Sequence, residues 1–108
     1  MTTKGAGRLR HRVTLQQPLK SQDATGAEVL SWSAVTTVWA EVLELRGREY
    51  LAEREIHSDV TVKIRIRYRA DVTVEWHVLF GSHTYDVTHA VDLMGRRREL
   101  ELMCSEVV

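Results

Sequence analysis

VTVKIRIRYR, residues 60 to 69, decides the fold class. Val60, Val62, Ile64, Ile66 and Tyr68 fall on one parity, and Thr61, Lys63, Arg65, Arg67 and Arg69 on the other. Side chains alternate across a strand, so the stretch has one apolar and one cationic face. The β-branched residues favour extended backbone, and neither Gly nor Pro interrupts the run. A helix would scatter the same apolar residues around its circumference. The pattern predicts a strand long enough to be the central stave of a small sheet or barrel.

The flanking sequence repeats the alternation. Toward the N-terminus, Leu9, His11, Val13 and Leu15 oppose Arg8, Arg10, Arg12, Thr14 and Gln16, with Pro18 as the end of that strand or the mark of a sheet edge. SQDATGAE, residues 21 to 28, has the residues of a turn, with Gly26 suited to positive φ. Val29–Trp32 and Val35–Leu43 read as a strand, a break and a longer strand. In the second, Val38, Ala40 and Val42 share one face while Trp39 and Leu43 take the other. A strand apolar on both sides is either buried twice or part of a subunit interface. Toward the C-terminus, Trp76–Phe80 and Thr84–Val91 form a hairpin around Gly81-Ser82, with Tyr85, Val87 and His89 as inward candidates. MGRRR, residues 94 to 98, reads as a basic turn. The closing RELELMC turns Leu100, Leu102 and Cys104 inward and Glu99 and Glu101 outward. That acidic row suits the Lys63, Arg65 and Arg67 row if the two strands pair.

One segment breaks the period of two. LRGREYLAEREIH, residues 45 to 57, is composed of helix formers. Its apolar residues Tyr50, Leu51 and Ile56 make a thin stripe, so a helix there depends on its neighbours for order. Six or seven strands, one short inserted helix and no βαβ rhythm predict a mainly β fold, a small antiparallel barrel or sandwich. Residues 1 to 7 read as a flexible arm and 8 to 108 as one domain.

Composition narrows the function classes. The 108 residues carry 15 Lys and Arg and 15 Asp and Glu, so no general pull toward nucleic acid or membrane arises. Locally, Lys4, Arg8, Arg10, Arg12 and Lys20 precede any acid. No signal peptide and no apolar run of membrane length is present, which predicts synthesis in the cytoplasm. His11, His57, His77, His83 and His89 show no zinc-ligand spacing, although a hairpin could bring the last three together. Cys104 alternates with leucines, which favours a buried, inert thiol. No pair of acids is marked as general acid and base, so no metal, cofactor or catalysis is expected. A single-strand-binding barrel would need aromatics beside the cations, and the outward row of residues 60 to 69 has none.

The order of blocks is more specific than any single block. GRLRHRVTLQQP, TGAEVLSW, VWAEVLELRGREY, VTVKIRIRYR and RRRELELMCSE together resemble the head–tail joining proteins of long-tailed bacteriophages, also called head–tail adaptors, head-completion or stopper proteins. The likeness spans roughly residues 7 to 106. It departs at Ala24-Thr25, where an aromatic residue often precedes the glycine. The resemblance implies a β-barrel that assembles as a ring at the virion neck, joins the DNA-filled head to the tail and in some members closes the channel. Implied partners are copies of itself, portal or adaptor proteins of the head, and tail-terminator or tail proteins. DNA would pass nearby without sequence readout, and neither cofactor nor membrane is involved. The implied localisation is the virion neck, after assembly in the host cytoplasm.

Provisional roles follow from that likeness. Lys63, Arg65, Arg67, Glu99, Glu101, Val38, Trp39 and Val42 become candidates for sheet or subunit contacts. Arg46, Arg48, Glu49, Tyr50, Glu53 and Arg54 become candidates for a mobile element at the channel, within residues 46 to 59. An ordinary helix capping the barrel is the alternative for that segment. A nucleic-acid-binding barrel and a related tail-completion or tail-terminator component remain as alternative functions.

Overall fold

The computed structural model describes residues 8–45, 47–56 and 60–107. Six strands, β1 (His11–Gln22), β2 (Glu28–Glu44), β3 (Val62–Arg67), β4 (His77–Phe80), β5 (His83–Asp92) and β6 (Glu99–Glu106), are joined in the order β1-β2-β3-β6-β5-β4. All the pairings are antiparallel, and the ladder between β1 and β4 closes the barrel. Helix α1 (Gly47–Ile56) is inserted between β2 and β3.

The core is the inward parity of each strand. Leu15, Ile64, Ile66, Leu102, Val13, Val60, Val78, Val87 and Cys104 are fully buried, and Val38, Val42, Tyr68, Phe80 and Ala90 pack against them. Burial of branched side chains at this density makes truncation to Ala cost about 2–5 kcal/mol per site. Residues 60 to 69 form the shorter strand β3, yet Val60 and Tyr68 still point to the core beyond its ends. Burial pushes the Cys104 thiol well above its ordinary pKa, which removes the reactive thiolate.

Several boundaries and facings differ from the sequence expectation. The first strand begins at His11 rather than Arg8, and runs past Pro18 to Gln22. Pro18 is paired with Trp32 on one side, while the β1–β4 ladder covers only Thr14–Gln16 on the other. The missing N–H of Pro18 therefore faces an open edge, where it interrupts no ladder. His11 is exposed, with its ring edge-on to Phe80 at 5.0 Å, instead of joining the inner row. The break expected between Trp32 and Val35 is absent, because β2 is continuous and absorbs the irregularity as a bulge opposite Leu15/Gln16. A second bulge at Thr88 puts His89 opposite outward Met103 and hands the inner position to Ala90. Gly81, at φ 60, takes the first position of the two-residue β4–β5 turn, a left-handed conformation that favours glycine.

Beyond Gln16 and before Trp39 the β1–β2 pair leaves the barrel as a two-stranded arm. The molecule consequently measures 56 × 29 × 28 Å. Trp32 anchors the arm by stacking on His77 of β4, with ring centroids 3.5 Å apart. At the tip, the Asp23 carboxylate accepts hydrogen bonds from the Thr25 hydroxyl (2.7 Å) and the Thr25 and Ala27 amides (2.9 and 3.0 Å). These bonds, the Thr25 hydroxyl foremost, hold the Asp23 pKa below the ordinary carboxylate value. Gly26 completes the turn at φ 86.

Candidate functional site

The outer wall of β1, β2, β3 and β6 gathers most of the residues singled out by sequence. Register sets Glu41 beside Arg65 and Arg65 beside Glu101 on three successive strands. Arg65 Nε donates to Glu101 Oε2 at 2.9 Å, and its Nη1 lies 3.6 Å from Glu41 Oε1. Arg8, just before β1, donates to Glu41 Oε1 at 2.8 Å and to both Glu99 oxygens at 3.0 and 2.8 Å. Those Glu99 bonds lead the causes that raise the Arg8 pKa above its ordinary value. Although Glu101 has outward parity, it is only 6% exposed. A carboxylate so nearly buried requires its guanidinium partner.

The structure thus brings Arg65, Glu99 and Glu101 into one network within a single chain and adds Arg8 and Glu41 to it. Sequence reading missed these last two, because Arg8 meets Glu99 only after the barrel closes. Arg67 is opposite Glu99 in register but is exposed, since the Glu99 carboxylate turns to Arg8. Lys63 lies between Leu43 and Met103 on the same wall.

Val38 and Val42 face inward and pack on the core, whereas Trp39 faces outward and is 52% exposed. The Arg12 guanidinium lies 4.8 Å from the Trp39 ring centre, within range of a cation–π contact. Past the Ala40–Ile66 pair, β2 and β3 separate and leave a cleft of about 260 Å³ lined by Val38, Trp39, Arg67, Tyr68 and Arg69. Asp71 accepts two hydrogen bonds from Arg69, at 3.1 and 2.8 Å, and its pKa is lowered by them. The aromatic missing from the outward row of residues 60 to 69 is therefore supplied by the adjacent strand.

A larger open cleft, about 620 Å³, lies below the Leu93–Arg98 loop and is bordered by Arg8, Arg65, Arg96 and Arg98. Asp92 accepts the Arg97 amide at 2.9 Å and holds this loop, which leaves Met94 80% exposed.

Helix α1 presents Arg48, Leu51, Ala52 and Glu55 to solvent, with Leu51 63% exposed. Of the other channel candidates, Arg46 lies outside the described residues, as do the side chains of Glu49, Tyr50, Glu53 and Arg54. The remaining residues of the expected 46–59 segment, His57 to Asp59, and the expected arm at residues 1 to 7 are also outside them.

The described histidines are dispersed among separate partners. His77 stacks on Trp32 with Asp86 Oδ1 4.0 Å away, His83 meets Glu106 at 2.7 Å, and His89 meets the Thr88 hydroxyl at 3.0 Å. Among the described residues no three His, Cys, Asp or Glu side chains cluster so as to hold a metal ion. Among the described residues no helix is long and apolar enough to cross a membrane.

A family model described as phage head completion protein matches residues 5–107. The chain belongs to the phage head completion protein family. This is a family of structural phage proteins and not of enzymes. A similar relative is head completion protein gp7 of Enterobacteria phage HK97, 30% identical over 105 residues, covering 91% of this chain and 92% of the relative. Among solved structures, protein SF1141 from Shigella flexneri 2a superposes with a TM-score of 0.75 at 24% identity, over 97% of this chain and 96% of that one. A chain from the virion of a native gene transfer agent particle superposes with a TM-score of 0.66 at 22% identity, over 94% of this chain and 97% of that one. These two likenesses extend the family's fold to distant sequences.

Proposed function

We propose that this head completion protein is a structural part of the phage neck, where it assembles as a ring and joins the DNA-filled head to the tail. The observation that carries the reading is the family match over residues 5–107, together with full-length similarity to the head completion protein of phage HK97. Its partners are further copies of the chain, portal or adaptor proteins on the head side, and tail-terminator or tail proteins on the other. It works without catalysis or cofactor, through residues 8 to 108 acting as one barrel domain.

Two features of the molecule support this role. The Arg8–Glu41–Arg65–Glu101–Glu99 network pairs the charges on one side of the barrel within the monomer, before any partner arrives. Exposed Trp39 and the arm are among the surfaces left to neighbours. Around a ring, weak contacts repeat, so a chain that is monomeric alone still binds a preformed ring firmly. Helix α1, with its exposed Arg48, Leu51 and Glu55, lies at or near the channel and gains hydrogen-exchange protection on assembly. Protection already strong in the monomer and unchanged in the neck would leave it a plain capping helix.

Particles made without this protein should show filled or leaking heads beside separate, normal tails under the electron microscope. Joined, infectious particles would reject the role. A second reading, nucleic-acid binding by the isolated barrel, is favoured by Trp39 lying beside Arg12 and the Arg67 cleft. Binding of the monomer to short DNA that weakens steeply with salt would favour that reading instead.

A further inference from the structure

The arm is the least self-sufficient part of the molecule. Its strands, Gln17–Gln22 and Glu28–Ser33, pair with each other. On its other side the β1 ladder ends at Gln16, and on its other side the β2 ladder begins only at Ala40. Among the described residues, both long edges therefore present main-chain donors and acceptors without a strand neighbour. The arm exposes Leu19 (45%), Val29 (40%) and Leu30 (53%). A two-stranded ribbon of this kind is marginal in water unless something covers it. Yet the Trp32–His77 stack and the Asp23 turn fix its aim and its tip.

The same chain carries a surface of matching chemistry. The cleft where β2 and β3 separate has an apolar floor of Val38, Trp39 and Tyr68 and a rim of exposed Arg67 and of Arg69, whose charge is paired with Asp71. The end of the arm, residues 20 to 30, carries two acids, Asp23 and Glu28, and one cation, Lys20, which pairs across from Leu30. Glu28 and Leu30 share one face of the ribbon, because they are two apart on one strand. The open edge of β2 runs alongside the cleft at Val38 and Trp39, so main-chain pairing is available beside the apolar contact.

An arm cannot fill the cleft of its own chain. Leu30 precedes Val38 by eight residues on one extended strand, a separation of about 26 Å at the rise of a β-strand. We propose that the arm of one copy docks in the β2–β3 cleft of a second copy, placing Leu30 against Trp39 and Tyr68 and Glu28 toward Arg67. The contact joins two different surfaces of identical chains, which is the kind that closes into a ring when its rotation closes. It rests on the ring reading above and names the interface that builds the ring.

The test uses cysteine pairs on purified chain and on chain bound to heads made without it. Native Cys104 is buried, so it does not compete for a maleimide reagent. Leu30→Cys mixed with Arg67→Cys should give covalent dimers with a short bismaleimide, whereas either variant alone should give none. Independently, Glu28→Arg and Arg67→Glu should each weaken assembly by about tenfold, and combining them should recover most of that loss. Folding of each variant is checked by its circular dichroism and melting temperature. Rings that form without the Leu30–Arg67 crosslink, and tolerate both single reversals, would overturn this interface while leaving the ring intact. Wild-type chain that stays monomeric both free and on heads would overturn the ring reading and this interface with it.

Discussion

Removing the Arg65 guanidinium tests whether the outer-wall network is a buried electrostatic unit or a set of surface ion pairs. An exposed pair contributes only about 0.2–1 kcal/mol. Glu101 is different, because its side chain is 7% exposed and its Oε2 accepts from Arg65 Nε at 2.9 Å. Arg65→Ala leaves that carboxylate desolvated and without this donor. Breaking a fully buried pair costs about 3–5 kcal/mol, but Arg65 is 30% exposed and water can follow its removal. The expected loss is therefore about 2 kcal/mol. Glu101→Ala should cost less, about 1 kcal/mol, because Arg65 keeps Glu41 at 3.6 Å and part of its hydration. The double variant should lose about 2 kcal/mol rather than 3, a coupling of about 1 kcal/mol. In urea, with a slope of about 1.5 kcal/mol per M, Arg65→Ala should lower the midpoint by roughly 1.3 M. The loss should change little between low and high salt, since a partly buried pair is weakly screened. Arg65→Ala costing less than about 0.5 kcal/mol, or a cycle that is simply additive, would refute the reasoning.

Three further outcomes follow from the same structure. Desolvation lowers the His77 pKa against the opposing pull of Asp86, so the unfolded chain binds more protons as pH falls through the ordinary histidine value near 6.5. Stability should accordingly be full above that value and decline below it, and His77→Gln should flatten this part of the pH profile measured by urea midpoint. The Cys104 thiol should resist a thiol reagent in the native protein and react fully once unfolded; labelling at the rate of a free thiol would contradict its place in the core. Among the described residues the buried Thr61 hydroxyl finds no hydrogen-bond partner, so Thr61→Val should be neutral or stabilise by about 1 kcal/mol in thermal melts.

Much of the barrel was legible because its strands are amphipathic at period two. Val62, Ile64 and Ile66 against Lys63, Arg65 and Arg67 define the inside and outside of β3, and Leu100, Leu102 and Cys104 do the same for β6. The bulges were not legible. An extra residue on β2 opposite Leu15/Gln16, or at Thr88 in β5, changes which parity faces inward without changing composition. Pro18 was ambiguous because a proline ends a strand or sits on its open edge with the same local sequence. The charged rows of β3 and β6 pointed toward each other, but Arg8 and Glu41 entered the network only through barrel closure. Likewise, an apolar Trp39 on an outward parity is visible in the sequence, while the cleft beside it depends on where β2 and β3 part.

The central claim is that this chain completes the head so that a tail can join it, and in vitro addition tests it most directly. DNA-filled heads assembled without the protein would be mixed with separate tails, with and without the purified chain, and scored for joined particles by electron microscopy and for plaques. The account predicts joined, infectious particles only when the chain is added. Heads that bind the chain yet still fail to join tails, or that join them equally well without it, would contradict the account.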